Sequence, residues 1–240
     1  MPKKLFQLNC DMGEGIGNDH LIMPWIDACS IACGGHAGDE QTMRNTVKLA
    51  MEHKVEIGAH PSFPDKENFG RKAMDISAGE LISSLKHQVE SLFKICEKYK
   101  AQPGHIKLHG ALYNMAAADS NLSDLVLEAL TDYRHLPFLA PLNSAFFKQC
   151  ELHNVPVRPE AFADRVYDNQ GKLLERNLPD SVILDKTQAL EQLLSIINKG
   201  TLSFVDGKTI AIRADTFCVH GDNPKALEIL QTLKMHQFEA

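Results

Sequence analysis

Ionisable side chains recur beside glycine or proline, each directly after a short apolar run. They are Asp11 in "NCDMGE", His36 in "GGHAGD", His60 in "GAHP", His109 in "KLHG", Glu160 in "RPE" and His220 in "HGD". Imidazoles and carboxylates can transfer protons, orient water or bind a cation, and glycine lets backbone N–H groups approach a ligand. A single histidine of this kind is more often a structural hydrogen-bonding group. Four of them after four runs favour one shared polar pocket.

The elements that must position these groups are seven short apolar runs separated by stretches with helical periodicity. The runs span residues 5–9, 28–33, 55–59, 105–108, 137–142, 155–159 and 216–219. Helical spacing is clearest at Leu81, Leu85, Val89 and Leu92. This alternation predicts a parallel sheet built from β–α units. Because all strands of such a sheet open at their carboxyl ends on one face, the ionisable groups should converge there.

Local signals predict where helices begin and where hairpins interrupt the alternation. Ser77 with Glu80 predicts a capping box, and Asp39, Asp185 and Asn223 are each predicted to cap a following helix. The turns Asn169-Gln170-Gly171 and Asp206-Gly207 predict two antiparallel hairpins attached to the main sheet. No linker, repeat or low-complexity tract interrupts the chain, so we expect one β/α domain over residues 1–240.

Composition excludes several function classes. The net charge of −6 has no basic cluster, which disfavours nucleic acid as a partner. No apolar stretch is long enough to predict a membrane span or a secretory signal. The six cysteines include no CxxC pair, so we expect reduced thiols, no disulfides and a cytoplasmic location. The chain also lacks the P-loop, dinucleotide and serine-hydrolase motifs, which leaves other small-molecule chemistry.

Asp11, His36, His60 and His109 are the candidate catalytic residues. Lys107 alternates with His109 along its strand, and a lysine that faces the interior requires a partner anion, which favours phosphate or carboxylate binding.

The remaining candidates form a substrate- or phosphate-binding set with open alternatives. Glu160, His220 and Asp222 belong to this set because they follow strand ends. Glu14 is either a cap for the following segment or a functional acid. Arg71 and Arg165 are each either an anion ligand or an ordinary surface charge.

A divalent metal is a second open question. Asp11 with two of His36, His60 and His109 matches the ligand types of a zinc or manganese site, and Asp11, His36 and His60 are the set we favour. No closely spaced pair such as HxxxH or HExxH supports it, so the metal stays undecided at this stage.

Seven motifs, in order along nearly the whole chain, resemble the LamB/YcsF lactam-utilisation family. They are "LNCDMGE" (8–14), "IACGGHAGD" (31–39), "IGAHPSFPD" (57–65), "FGRKAMDIS" (69–77), "KLHGALYNMAA" (107–117), "EAFADRVY" (160–167) and "VDGKTIAIRADTFCVHGDNPKAL" (205–227). The resemblance implies an α/β fold, a distorted seven-stranded β/α barrel of the glycoside hydrolase/deacetylase type. It also implies the role of the A subunit in bacterial ATP-dependent 5-oxoprolinase, in which 5-oxoproline, ATP and water give L-glutamate, ADP and phosphate with the partner B and C subunits.

Three positions depart from the family's usual residues. Gly35 stands where phenylalanine is usual, Leu108 where proline is usual and Ser62 where glycine is common. The loss of an aromatic ring beside His36 is expected to widen or redirect that wall of the pocket, with an effect on substrate preference.

The residues support a division of labour for lactam opening. Lys107 would hold phosphate, Asp11 would orient or deprotonate water, one of the three candidate catalytic histidines would protonate the departing ring nitrogen, and Arg71 or Arg165 would bind the substrate carboxylate. Two alternatives remain: a metal-dependent amide hydrolase or deacetylase that acts alone, and a non-catalytic substrate-binding subunit.

Overall fold

Seven parallel strands close into a barrel in the computed structural model, which describes residues 4–176, 178–204 and 208–238. The strands, in their order around the barrel, are β1 (Gln7–Met12), β2 (Ala28–Ala32), β3 (Glu56–His60), β4 (Pro103–Lys107), β5 (Phe138–Ala140), β6 (Val157–Phe162) and β9 (Thr216–Cys218). β9 pairs with β6 on one side and with β1 on the other, which closes the ring. Each of the seven apolar runs forms one barrel strand, so the predicted α/β barrel is confirmed.

The main boundary differences lie in β1 and β6, which continue to Met12 and Phe162, three residues beyond the predicted runs 5–9 and 155–159, so Glu160 lies within β6. Asp11 likewise belongs to β1 and pairs in register with Ser30 of β2. A carboxylate is tolerated inside the barrel here because a lysine from β4 neutralises it, a long-range contact that local sequence does not reveal.

Among the described residues, eight α-helices surround the barrel. They are α1 (Asp19–Ile22), α2 (Glu40–His53), α3 (Ala78–Tyr99), α4 (Gly110–Ala118), α5 (Ser120–Ala129), α6 (Ala145–Leu152), α7 (Lys186–Lys199) and α8 (Ala226–Met235), with 3-10 turns at Met23–Trp25 and Thr131–Tyr133. The helical repeat read from the sequence is the inner face of α3, where Leu81, Leu85, Val89 and Leu92 are buried. These side chains cover the outer face of the barrel strands.

Three of the four predicted caps are confirmed. Asp39 accepts a hydrogen bond of 2.7 Å from the Thr42 N–H, and Ser77 with Glu80 forms the reciprocal capping box. Asp185 accepts from the second and third residues of α7. The prediction for Asn223 is wrong, because α8 begins at Ala226 and the Asn223 amide instead donates to Asp164 and to the Ile183 carbonyl.

Both predicted hairpins lie outside the barrel. β7 (Thr201–Ser203) pairs antiparallel with β8 (Thr209–Ala211), while the Asp206-Gly207 turn itself lies outside the described residues. The second hairpin pairs Tyr167 with Leu173 around Gly171, whose φ of +79° suits glycine. All six cysteines are buried and unpaired, as expected. Among the described residues, none of the helices combines the length and apolar character needed to cross a membrane.

Candidate functional site

A buried ammonium group forms the centre of the barrel's carboxyl end. Lys107 ends β4, its side chain is 2% exposed, and its Nζ lies 2.9 Å from Asp11 Oδ1 and 3.1 Å from Glu160 Oε1. Asn9 Oδ1 at 3.3 Å and Cys218 Sγ at 3.0 Å complete its surroundings. The three ammonium protons thus face four acceptors of the protein itself.

Charge pairing decides the ionisation of this centre. Burial opposes the charge on Lys107, but the attraction of Asp11 outweighs it and holds the lysine pKa well above its usual value. Burial likewise opposes the charge on Asp11, yet His60 and then Lys107 hold its pKa well below the usual value. The predicted requirement of Lys107 for a partner anion is therefore met by Asp11 and Glu160 rather than by an external phosphate.

Three histidines from three strand ends form a compact group beside Asp11. The rings of His36 and His109 are stacked, with centroids 3.6 Å apart and planes 6° from parallel. His60 stands at 83° to His109, and its Nε2 lies 3.4 Å from Asp11 Oδ2. The convergence expected from parallel-strand geometry is thus found for all four candidate catalytic residues.

Glu14 belongs to this histidine group. Its side chain is 4% exposed, and Oε1 lies 3.1 Å from His36 Nε2 and 3.6 Å from His109 Nδ1. Gly13, at a φ of +72°, turns the chain after β1 so that the carboxyl group points back into the barrel. Burial, followed by repulsion from Asp11, raises the pKa of Glu14 well above its usual value. Of the two alternatives for Glu14, the structure favours the functional acid.

Backbone carbonyls determine which nitrogens of two histidines carry protons. His60 Nδ1 lies 2.8 Å from the Lys107 carbonyl oxygen, and His109 Nε2 lies 2.9 Å from the Phe69 carbonyl oxygen. A carbonyl can only accept, so both of these nitrogens donate. In the neutral rings, the other two nitrogens, His60 Nε2 and His109 Nδ1, are unprotonated and face each other at 2.9 Å.

Burial favours the neutral form of two of these rings, those of His36 and His109. Loss of hydration, and then repulsion from His60, lowers the pKa of His36 to about 2. Burial also lowers the pKa of His109 well below the usual value, and His36 adds to this effect. His36 Nδ1 is buried without a hydrogen-bond partner among the described residues, which is an uncommon state for a native polar atom.

Glu160 and His220 are each oriented by a neighbour that sequence reasoning missed. Tyr113 of α4 donates a 2.8 Å hydrogen bond to Glu160 Oε2. His220 Nδ1 lies 2.9 Å from Asp164 Oδ1, and its ring stacks on Phe162. His220 also contributes to the lowered pKa of Asp11, which places both groups in one electrostatic environment.

Two arginines meet one acid at the edge of the site. Asp222 accepts from Arg71 Nη2 at 2.5 Å through one oxygen and from Arg176 through the other. The Arg71 guanidinium lies over the Phe69 ring, 4.7 Å from its centroid, and Phe69 in turn contacts His36 and His109 edge-on. Arg71 and Asp222 therefore border the histidine group.

Arg165 has a different environment from Arg71. It is buried, so it is not an ordinary surface charge, and its guanidinium donates to the carbonyls of Ser181 at 3.2 Å and Leu174 at 2.5 Å. These contacts hold the segment that follows β6. The predicted role of Arg165 as an anion ligand thus gains no support from its described contacts.

The space beside Gly35 is filled. A Cβ at this position would lie 2.3 Å from Gln88 Oε1 and 2.4 Å from Ser62 Oγ. Gln88 of α3 holds this place by accepting from the Ser62 N–H and donating to the Ser62 carbonyl. The Gln88 amide thus occupies the volume that a side chain at 35 would need, while the effect on the direction of the pocket wall stays a prediction.

Two groups of side chains have ligand atoms close enough to share a metal ion. Glu14, His36, His60 and His109 form one, and Asp11, Cys218 and His220 form the other, with the atoms of each group within 4.8 Å of one another. The structure thus divides the predicted set of Asp11, His36 and His60. Asp11 falls in a different group because it turns toward Lys107.

Of the neighbours that sequence reasoning missed, some had a signal. Asn9 lies two residues before Asp11 on the same strand, so alternation would have placed both on one face. Cys218 of β9 lies two residues before His220, so the same alternation would have placed Cys218 on the inner face. Asp164 and Arg176 lie in a long segment after β6, where no periodicity indicates direction.

A closed parallel barrel with buried acids, a lysine and histidines at its carboxyl end is a (β/α) barrel of the type that hosts enzyme active sites. The chain belongs to the LamB/YcsF family, whose model matches residues 6–239, which confirms the resemblance of its motifs.

Relatives in that family cover nearly all of the chain. A relative from Vibrio cholerae serotype O1 strain O395, named as the A subunit of 5-oxoprolinase, is 40% identical over 242 residues, 98% of each chain. The crystal structure of "Lactam Utilization Protein" from Thermus thermophilus is 31% identical, covers 96% of both chains and has a TM-score of 0.88. A GH113 β-1,4-mannanase, 10% identical with a TM-score of 0.50 over 98% of this chain and 99% of its own, shares the fold alone.

Proposed function

We propose that the chain is the subunit of an ATP-dependent 5-oxoprolinase that binds 5-oxoproline and opens its lactam ring. With the partner B and C subunits, the reaction would convert 5-oxoproline, ATP and two water molecules into L-glutamate, ADP and phosphate. The names of its relatives support this assignment. A lactam amide is a poor electrophile, so transfer of the ATP γ-phosphoryl group to the amide oxygen would activate it before water adds.

The observation that carries the proposal is the ionised, buried Asp11 beside His60. Lys107 holds Oδ1 of the carboxylate at 2.9 Å, while Oδ2 lies 3.4 Å from His60 Nε2. A carboxylate fixed in this way can orient a water molecule and accept its proton as the water adds to the activated carbonyl carbon. Lys107 would then act as a positioning residue, because its charge holds Asp11 in place, and Glu160 would hold Lys107.

Ring opening also needs a proton for nitrogen. When the C–N bond breaks, its electron pair goes to the ring nitrogen, which must be protonated to leave as an amine. The carbon then carries an acyl phosphate, and the second water molecule hydrolyses it to L-glutamate and phosphate. His60 is the histidine nearest to Asp11, so we assign it the transfer of the proton that Asp11 takes from water. His109 adjoins His60 at 2.9 Å and extends the same path.

The substrate carboxylate would bind at the edge of the site. Arg71 and Arg176 already pair there with a carboxylate, that of Asp222. A guanidinium pair of this kind can exchange the protein's acid for that of the substrate. Arg71 replaces Arg165 as the preferred ligand, because the Arg165 guanidinium is used by two backbone carbonyls.

The test is glutamate and ADP release from 5-oxoproline by the chain together with the B and C subunits, compared with the chain alone. Asp11→Asn should lower glutamate release by about 10²- to 10⁴-fold, the usual contribution of a positioned acid–base group. Asp39→Asn is the matched control, because it makes the same change at another strand end where the carboxylate caps α2. Undiminished turnover by Asp11→Asn would reject the assigned base.

One observation favours a second candidate, namely metal-dependent amide hydrolysis by the chain alone. It is the group of Glu14 with three histidines, which offers typical metal ligands. This activity would need neither ATP nor partners and would disappear with a chelator. A third outcome, lactam binding by the chain with chemistry unaffected by Asp11→Asn or by changes to the histidines, would indicate a substrate-binding subunit.

A further inference from the structure

The side chains of Glu14, His36, His60 and His109 have the spacing of a coordination shell. Successive ligand atoms are separated by 3.1 Å from His36 Nε2 to Glu14 Oε1, by 3.6 Å from Glu14 Oε1 to His109 Nδ1, and by 2.9 Å from His109 Nδ1 to His60 Nε2. Ligands bound tetrahedrally to zinc at about 2.0–2.1 Å are about 3.3 Å apart. The observed separations lie on either side of this value.

The second nitrogens of two rings are already held as they are in metal sites. His60 and His109 each donate their other N–H to a backbone carbonyl, of Lys107 and of Phe69. Metal-binding histidines almost always have such a partner, because it sets the tautomer and directs the lone pair toward the ion. Here it directs two lone pairs at each other across 2.9 Å, an arrangement that needs a cation or a shared proton between them.

We propose that the chain binds one divalent transition-metal ion through Glu14, His36, His60 and His109. Three imidazoles and one carboxylate suit zinc, cobalt or nickel, whereas magnesium and calcium prefer oxygen ligands. The His36 ring is stacked parallel to the His109 ring. It must therefore tilt before His36 Nε2 and His109 Nδ1 can reach the same ion. The unpartnered Nδ1 of His36 leaves that ring free of a hydrogen bond that would oppose the tilt.

The second group of potential ligands does not share these properties. Asp11 and Cys218 both contact the Lys107 ammonium, at 2.9 and 3.0 Å, so a positive charge already occupies their centre. His220 does have a partner for its Nδ1, the Asp164 carboxylate, so the charge of Lys107 is what separates the two groups. Repulsion by Lys107 therefore opposes a cation there, and the ion is assigned to the Glu14 group alone.

Metal binding goes beyond the proposed lactam reaction and can be measured without it. A bound ion would occupy His60 Nε2 and His109 Nδ1, so the proton transfer assigned to these rings belongs to the metal-free chain. The purified chain, stripped with chelator, is titrated with Zn²⁺, and retained metal is counted after dialysis. Titration with Co²⁺ adds an optical signal from the ligand field. We expect one equivalent of either ion and none of Mg²⁺. Zinc at 100 times its Kd should also stabilise the fold by about 2.7 kcal/mol.

Variants assign the ligands. Glu14→Gln and His109→Gln should each weaken Zn²⁺ binding at least tenfold, because even changes behind a ligand cost about 10- to 100-fold. His220→Gln is the matched control and should retain the metal. Circular dichroism checks that each variant folds. If His109→Gln does not fold, Glu14→Gln, which preserves side-chain shape, tests the site by itself. A folded wild-type chain that retains no metal, or a Glu14→Gln variant that binds Zn²⁺ as tightly as wild type, overturns the site. In the former case, a shared proton lies between His60 and His109.

Discussion

Two buried histidine–carboxylate groups lie at opposite ends of the same barrel, and they differ in how fully their polar atoms are paired. At the amino-terminal end, His105 Nδ1 lies 2.9 Å from Glu56 Oε1 and Nε2 lies 3.1 Å from Ser30 Oγ. Arg158 adds a contact of 3.2 Å to Glu56. Both nitrogens of this histidine are used, and the Glu56 carboxylate has a cation beside it.

At the carboxyl end, the same residue types leave polar atoms unmatched. His60 Nε2 and His109 Nδ1 face each other at 2.9 Å, and His36 Nδ1 has no partner in the part of the chain described. Buried polar atoms without partners are costly, so they persist where something other than stability selects them. The comparison separates a fully paired network from one with unmatched polar atoms, the network that we propose to be functional.

Lys107→Met tests the charge balance at the carboxyl end and should cause the largest loss of stability among the variants. The methionine would leave Asp11 and Glu160 buried without their cation, which we expect to lower the free energy of unfolding by about 3–5 kcal/mol. Urea denaturation measures it. The matched change at the other end is Arg158→Met, whose guanidinium is partly exposed and should contribute about 1 kcal/mol or less. Equal losses at the two ends would contradict the distinction.

The sequence was most informative where the causes are local or periodic. The seven strands follow from apolar runs, and the caps at Asp39 and Ser77 follow from contacts within four residues. The convergence of His36 and His60 follows from the shared direction of parallel strands, a property of the fold class.

Tertiary contacts decided what the sequence could not. Glu14 remained ambiguous because its burial depends on a turn and on two other strand ends. Lys107 was correctly directed inward, but its partners come from β1 and β6, almost 100 and more than 50 residues away in the chain. Arg176 lies in a segment without periodicity, so only the closed barrel brings it to Asp222.

The response to acid distinguishes His36 from Glu56 in metal-free protein. The pKa of His36 is lowered to about 2, so below pH 6.5 the unfolded chain binds a proton that the folded chain does not. Stability should therefore fall by about 1.4 kcal/mol per pH unit from this residue. The pKa of Glu56 is also lowered to about 2, but burial there is outweighed by His105 and then Arg158, so its contribution is present above pH 4.5 and is lost toward pH 2.

The contribution of His36 is isolated by measuring the free energy of unfolding of two variants, His36→Asn and Glu56→Gln, between pH 6.5 and 5. His36→Asn should flatten the slope by about 1.4 kcal/mol per pH unit, whereas Glu56→Gln should leave it nearly unchanged. Burial also lowers the pKa of His105, so this residue adds to the slope of the wild-type protein. The contribution of His36 is therefore measured as the difference in slope between the variants. An unchanged slope in His36→Asn would show that this ring is protonated in the folded protein.

Alanine substitutions at Gly58 and Gly35 test the packing at the two ends of the barrel. A Cβ at Gly58 would lie 2.2 Å from His105 Nε2, and both nitrogens of that ring are already held. A Cβ at Gly35 would meet the end of the flexible Gln88 side chain at 2.3 Å. We expect both alanine variants to lose about 1–3 kcal/mol, with Gly58→Ala losing more.

A double-mutant cycle of Gly35→Ala with Gln88→Ala sharpens this result. Removal of the Gln88 amide relieves the collision, so the two changes should couple by about 0.5–3 kcal/mol. Purely additive losses would mean that the chain relaxes around position 35 without displacing Gln88.

The smallest effect on stability is expected at the edge of the site, where it separates binding from folding. Arg71 is about one-third exposed, so Arg71→Gln should change the free energy of unfolding by less than about 1 kcal/mol. If Arg71 binds the substrate carboxylate, KM for 5-oxoproline should rise by about 10- to 100-fold, the equivalent of one lost charge-assisted hydrogen bond. Arg44→Gln, which removes an exposed pair with Glu40 on α2, should leave KM unchanged.

Asp222→Asn should change KM in the direction opposite to Arg71→Gln. The Asp222 carboxylate holds both Arg71 and Arg176, so it competes with any external carboxylate for the same donors. Its neutralisation should lower KM, while Arg71→Gln raises it, and steady-state kinetics of the complex with the B and C subunits measures both. A rise in KM for Asp222→Asn as well would mean that the acid orients the two arginines for the substrate rather than competing with it.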